Sequence, residues 1–134
     1  MFGYRGDVRN NIVQYSNESN RFVYPAANSL VIFNSENREQ VILPTVAGTR
    51  GITCMAISPS RRYIAWSEEC DTGIIVIYDT FNKKRKTLTT TDCKSRYYVS
   101  LDFSRNPHEE GKYLVALVFD LLLNNLRVGH QIRC

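Results

Sequence analysis

The feature that most constrains this chain is a spacing. Residues 30–34 read LVIFN and residues 75–79 read IVIYD, in each case three apolar residues, an aromatic one, and Asn or Asp. Leu30 and Ile75 stand 45 positions apart, and so do Leu43, closing REQVIL, and Leu88, closing KRKTL. The segments ahead of the second pair repeat as well. ITCMAISPSRRYIAW at 52–66 matches YVSLDFSRNPHEEGKYLVAL at 98–117, with Ser58 falling 46 positions before Ser104. A weaker first copy, NIVQYSNESNRFVYPA, sets Tyr15-Ser16 42 positions before Ile57-Ser58 and aligns 22–24 with 63–65. A repeat of this kind cannot bury its own apolar face, so the repeat dictates the architecture.

A period of 42 to 46 residues without a 3.6-residue apolar rhythm predicts strands. The middle copy reads as four of them, near 52–58, 63–67, 74–79 and 85–88. The turns between them carry Pro59, Asp71 and Gly73, residues that preset turn dihedrals, and Asn82-Lys83-Lys84, polar enough to lie in water. The run from Ile74 to Tyr78 has no polar alternation, which predicts burial on both faces. The fold class expected is all-β: about two and a half blades of four-stranded antiparallel sheet from a WD-repeat β-propeller. The blades are placed near 12–43, 52–88 and 97–118, with residues 1–118 as the repeat region and 119–134 as a separate tail. Phe119, Leu122, Leu123 and Leu126 lie at helical spacing, so the tail is expected to be a short amphipathic helix or disordered.

Composition supports a folded chain: 43% hydrophobic residues against 22% charged, with eight Tyr. Residues 1–10 lack the apolar core of a secretory signal, and the run 113–119 is far too short to span a bilayer. Neither secretion nor a membrane partner is expected. Cys54, Cys70, Cys93 and Cys134 form no CxxC pair and have only His108 and His130 as possible co-ligands, so no metal site or cofactor is expected. They read as reduced cytosolic thiols, with a sparse disulfide framework as the rival.

No GxSxG, GxxxxGK[ST] or HExxH string is present, so an enzyme is not expected. His108, in RNPHEEGK, reads as an exposed loop residue. The pairs Glu68-Glu69 and Glu109-Glu110 read as solvated acids, and Trp66 as a core or edge packer. The candidate interaction patch is Lys83, Lys84, Arg85 and Lys86, with Lys94 and Arg96 close by; these account for much of the +4 net charge. The patch has three readings: a solvated hairpin, a surface for an acidic protein, or a site for nucleic acid.

FGYRGDVRNN at 2–11, YPAANSLVIFN at 24–34, GITCMAISPSRRYIAWSE at 51–68, IVIYD, KRKTL and VSLDFS…GKYLVA at 99–116 resemble the amino-terminal blades of the WD-repeat cilia- and flagella-associated protein 57 family. The resemblance implies a non-enzymatic scaffold in the cytoplasm and the ciliary or flagellar axoneme. Its implied partners are dynein-arm or microtubule-associated proteins, and its implied task is inner dynein arm assembly or regulation in cilium movement. Such members supply no catalytic residues. Beyond Ala116 the resemblance stops, where a Gly-rich turn and a Trp-ending strand are expected, so the chain is expected to be a truncated form. Two alternatives stand beside it: a nuclear WD-repeat protein holding RNA or DNA through the basic hairpin, and a fragment with no function of its own.

Overall fold

The computed structural model describes residues 13–14, 20–89, 96–109, 112–120 and 125–133, with side chains for 20–89, 96–109 and 112–118. Three antiparallel sheets follow one another. The first runs β1 (Val13–Gln14), β2 (Arg21–Ala26), β3 (Ser29–Asn34) and β4 (Gln40–Pro44), and the second β5 (Ile52–Ile57), β6 (Tyr63–Glu68), β7 (Ile74–Asp79) and β8 (Lys84–Thr89). In both, spatial order equals chain order. The third contains β9 (Ser100–Phe103), β10 (Tyr113–Asp120) and β11 (Asn125–Arg133), with β10 in the middle.

The 45-residue offset is a register. Leu30 faces Leu43 across β3 and β4, and Ile75 faces Leu88 across β7 and β8. The 46-residue offset is equally physical: Ser58 N–H donates to Tyr63 O at 2.9 Å, and Ser104 N–H to Tyr113 O at 3.1 Å. The first copy needs a correction of one residue. Arg21 faces Asn34 as Tyr63 faces Asp79, so 21–23 take the places of 63–65, not 22–24. Side chains alternate faces along a strand, and only this register puts Val23 in the core position of Ala65.

The middle sheet is apolar on both faces because each face meets another sheet. Ile64, Trp66, Val76 and Tyr78 pack with Val23, Leu30 and Leu43 of the first sheet. Cys54, Ala65, Ile75 and Ile77 pack with Leu101, Phe103, Leu114 and Ala116 of the third. The fully buried run in β7 follows directly.

The helix expected from the tail is not formed over its described part. Residues 125–133 pair with β10 from Asp120↔Asn125 to Tyr113↔Arg133, with one bulge near Ala116. Two or three helical turns are marginal alone, whereas the open edge of β10 offers a row of unpaired backbone groups.

The turn after β6 passes so close to the chain leading into β9 that it requires glycine. A Cβ at Gly73 sits 2.9 Å from Arg96 O and 3.1 Å from Tyr97 Cα, both backbone atoms. Gly73→Ala is therefore expected to destabilise the chain by about 1–3 kcal/mol through overpacking. A lowered urea midpoint with an unchanged m-value is the check; an unshifted midpoint means the approach is looser than described.

Candidate functional site

The strand order gives the described sheets two ends. One carries the links between sheets, residues 45–51 and 96–99, and the other the turns 35–39, 58–62, 80–83 and 104–109.

The link end is occupied by its own side chains. Glu68, fully buried on the last position of β6, accepts from Val46 N–H at 2.9 Å and from Trp66 Nε1–H at 2.7 Å, and its Oε2 lies 2.9 Å from Thr49 Oγ1. This corrects the reading of Glu68-Glu69 as a solvated pair. β6 extends through Glu68, which faces Ile52 on one side and Ile74 on the other, and the preceding link folds over it. Glu69 follows the expectation and lies half-exposed 3.7 Å from Arg50. Ser67, also buried, accepts from Tyr98 N–H at 3.3 Å and from Thr53 Oγ1 at 3.0 Å. Cys54 Sγ donates to Tyr98 O at 3.4 Å. The end of β6 thus fastens the link behind it and the link ahead of it.

The turn end is built around Asp79. Its carboxylate accepts from Arg62 Nε at 3.2 Å and Nη2 at 2.9 Å, from the backbone N–H groups of Phe81 and Asn82 at 2.9 and 3.3 Å, and from Asn82 Nδ2 at 2.8 Å. The Arg62 guanidinium lies 5.0 Å from the Tyr63 ring centre and 5.1 Å from that of Phe81. Arg62 is the main reason that the Asp79 carboxyl is held well below the usual carboxylate range; partial burial opposes this, and the Phe81 and Asn82 donors add to it. A lowered folded pKa stabilises the fold above the unfolded value of ~3.9 and is lost as pH falls through the folded value. Asp79→Asn is expected to cost about 1–3 kcal/mol at neutral pH. The difference from the parent chain should shrink as pH is lowered below about 4. Urea midpoints across that range check it, and a gap that stays constant in acid contradicts the clamp.

The strand geometry divides the candidate patch. Lys83 occupies the turn with φ 53°. Lys84 and Lys86 are exposed on β8, on the same strand face as Leu88, which packs toward the third sheet. Arg85 projects to the opposite face, where its Nη1 donates to Pro44 O at 2.6 Å and its guanidinium lies 5.4 Å from the Trp66 ring centre. It works at the seam between the first and second sheets. Arg96 is exposed and its carbonyl accepts from Cys70 N–H at 3.1 Å. Lys94, Cys93, Cys134 and Glu110 lie outside the described residues. His108 is exposed in a 3-10 turn, Pro107–Glu109. Among the described residues no three His, Cys, Asp or Glu side chains gather as a metal site, and no helix is long and apolar enough to cross a membrane.

Sequence comparison places this repeat among known proteins. No family model matches the chain. It is 39% identical to cilia- and flagella-associated protein 57 A of Tetrahymena thermophila over 152 residues, covering 78% of the chain and 12% of that protein. The chain belongs to the cilia- and flagella-associated protein 57 family. Other members are similar across more of it: protein 57 C of the same organism at 31% identity, and mouse cilia- and flagella-associated protein 57 at 29%, each over 87% of the chain. The chain spans 9% of the length of each of these two. The fold agrees with a WD-repeat propeller chain in a crystal structure of the mitotic checkpoint complex. The TM-score is 0.63 over 88% of this chain and 33% of that one, at 12% identity, a likeness of fold alone.

Proposed function

We propose that the chain acts as a non-enzymatic protein-interaction scaffold of the ciliary or flagellar axoneme, contributing to inner dynein arm assembly or regulation and so to cilium movement. The observation that carries this reading is the 39% identity to a Tetrahymena protein named for cilia and flagella, extending over 78% of a chain built from repeats. The fold supports it physically. Buried hydrogen bonds at Ser67 and Glu68 fasten the links between sheets, so the exposed turns at the other end are carried on rigid strands, an arrangement suited to recognition. The basic hairpin of Lys83, Lys84, Arg85 and Lys86, with Lys94 and Arg96, is proposed as a contact for an acidic protein surface. Arg85 contributes there as a seam residue that fixes β8.

Tagging the protein that carries this segment at its own locus in a ciliated cell tests the reading. The expected signal runs along the cilium and stays with the axoneme after detergent extraction. A signal confined to the nucleus, with salt-sensitive retention on RNA or DNA, overturns it in favour of the nucleic-acid alternative.

A further inference from the structure

At the turn end, a cleft of about 340 Å³ opens where β5 and β9 finish, lined by Ile57, Pro59, Arg61, Asp102, Phe103 and Arg105. Its two arginines come from equivalent turns of successive repeats, one after Ser58 and one after Ser104. Arg61 is held with φ 67°, its backbone N–H donating to Ser58 O at 2.9 Å. Among the described residues, its Nε is the one buried side-chain nitrogen or oxygen without a hydrogen-bond partner. A buried donor without an acceptor is costly, the more so on a charged group.

We propose that this cleft receives a carboxylate side chain from an acidic segment of a partner protein, with Arg61 and Arg105 as its donors. Guanidinium groups match a planar carboxylate in shape and charge. Asp102 sets the balance of the lining at two positive charges against one negative, which suits a monoanion and opposes a dianionic phosphate. Ile57, Pro59 and Phe103 supply an apolar wall for the methylene carbons of a glutamate. The proposal rests on the reading of the chain as a protein-binding scaffold, but it needs no ciliary setting to be tested.

The test is fluorescence anisotropy of the 134-residue chain with a capped, labelled hexaglutamate peptide at fixed ionic strength. The double variant Arg61→Asn with Arg105→Gln should bind at least about tenfold more weakly, as expected for lost charge-assisted bonds. Asn tolerates the positive φ at 61, so the turn is kept, and an unchanged circular dichroism spectrum confirms it. Asp102→Asn should bind severalfold more tightly, a gain that misfolding does not produce. Arg21→Gln with Arg38→Asn, exposed on the first sheet and outside the cleft lining, should change affinity less than about twofold.

Equal loss in the first-sheet arginine variant means diffuse attraction to a basic chain and overturns the proposal. So does unchanged affinity in either cleft variant. Displacement of the peptide by inorganic phosphate, a single-stranded oligonucleotide or anionic vesicles at lower concentration than by unlabelled peptide assigns the cleft to phosphate chemistry instead. Failure of the scaffold reading shows separately, in the localisation experiment, which does not depend on this peptide.

Discussion

Trp66→Ala is expected to destabilise the chain by about 3–5 kcal/mol, the range for emptying a buried aromatic site. The ring is fully buried between the first and second sheets, packed with Val23, Leu30, Met55, Val76 and Tyr78, and none of these rigid strand positions collapses easily into the gap. Three things go at once: the apolar area, the Nε1–H bond to Glu68 at 2.7 Å and the face on which Arg85 rests at 5.4 Å. Trp66→Phe separates them, because it keeps most of the volume and strips the donor; it should cost about 1–2 kcal/mol. Urea unfolding followed by far-UV circular dichroism ranks the two, and equal costs would show that the indole N–H, not the packing, holds the seam.

Glu68→Ala comes next, at about 3 kcal/mol or more, since it leaves the Val46 and Trp66 N–H groups without their shared acceptor in a buried place, while the Thr49 hydroxyl keeps Val46 O at 3.0 Å. Glu68→Gln retains one acceptor oxygen but presents an NH₂ to N–H donors, so it recovers only part of the loss. The single tryptophan reports the site directly. Its emission should move to longer wavelength in Glu68→Ala before global unfolding, as the link over it loosens. An Ala variant as stable as the parent would mean that the link stands without its acceptor.

These two residues also show where sequence reasoning stops. Strands β5 to β8 were legible because apolar runs alternate with turns rich in Pro, Asp and Gly at a fixed offset, and pairing at that offset is what the sheets display. Trp66 was legible as a packer. Glu68 was not, because an acid beside an acid at a strand end resembles a solvated pair, and nothing local shows Val46 and Thr49 folding back over it. The tail failed for a related reason: its leucine spacing fits a helix, but the partner that decides its state is the edge of β10, supplied by the chain before it.

The basic run was legible as charge and not as geometry. Alternation along β8 sends Arg85 to the Trp66 seam and leaves Lys84 and Lys86 on the other face, a separation that a run of four cations does not display. Arg61 and Arg105 were invisible as a pair, since each sits alone in its turn and only the packing of β5 on β9 opens a common cleft between them. The one available signal was that the two turns repeat.

On the proposed function, rigid repeats present their turn end to other proteins of the axoneme. Cross-linking mass spectrometry on isolated axonemes tests it most directly, because Lys83, Lys84 and Lys86 offer reactive amines at or next to that end. Cross-links from these lysines to a second axonemal protein are expected, with an acidic stretch near the linked position. Lysines that link only within their own chain, in axonemes that contain the protein, would contradict it.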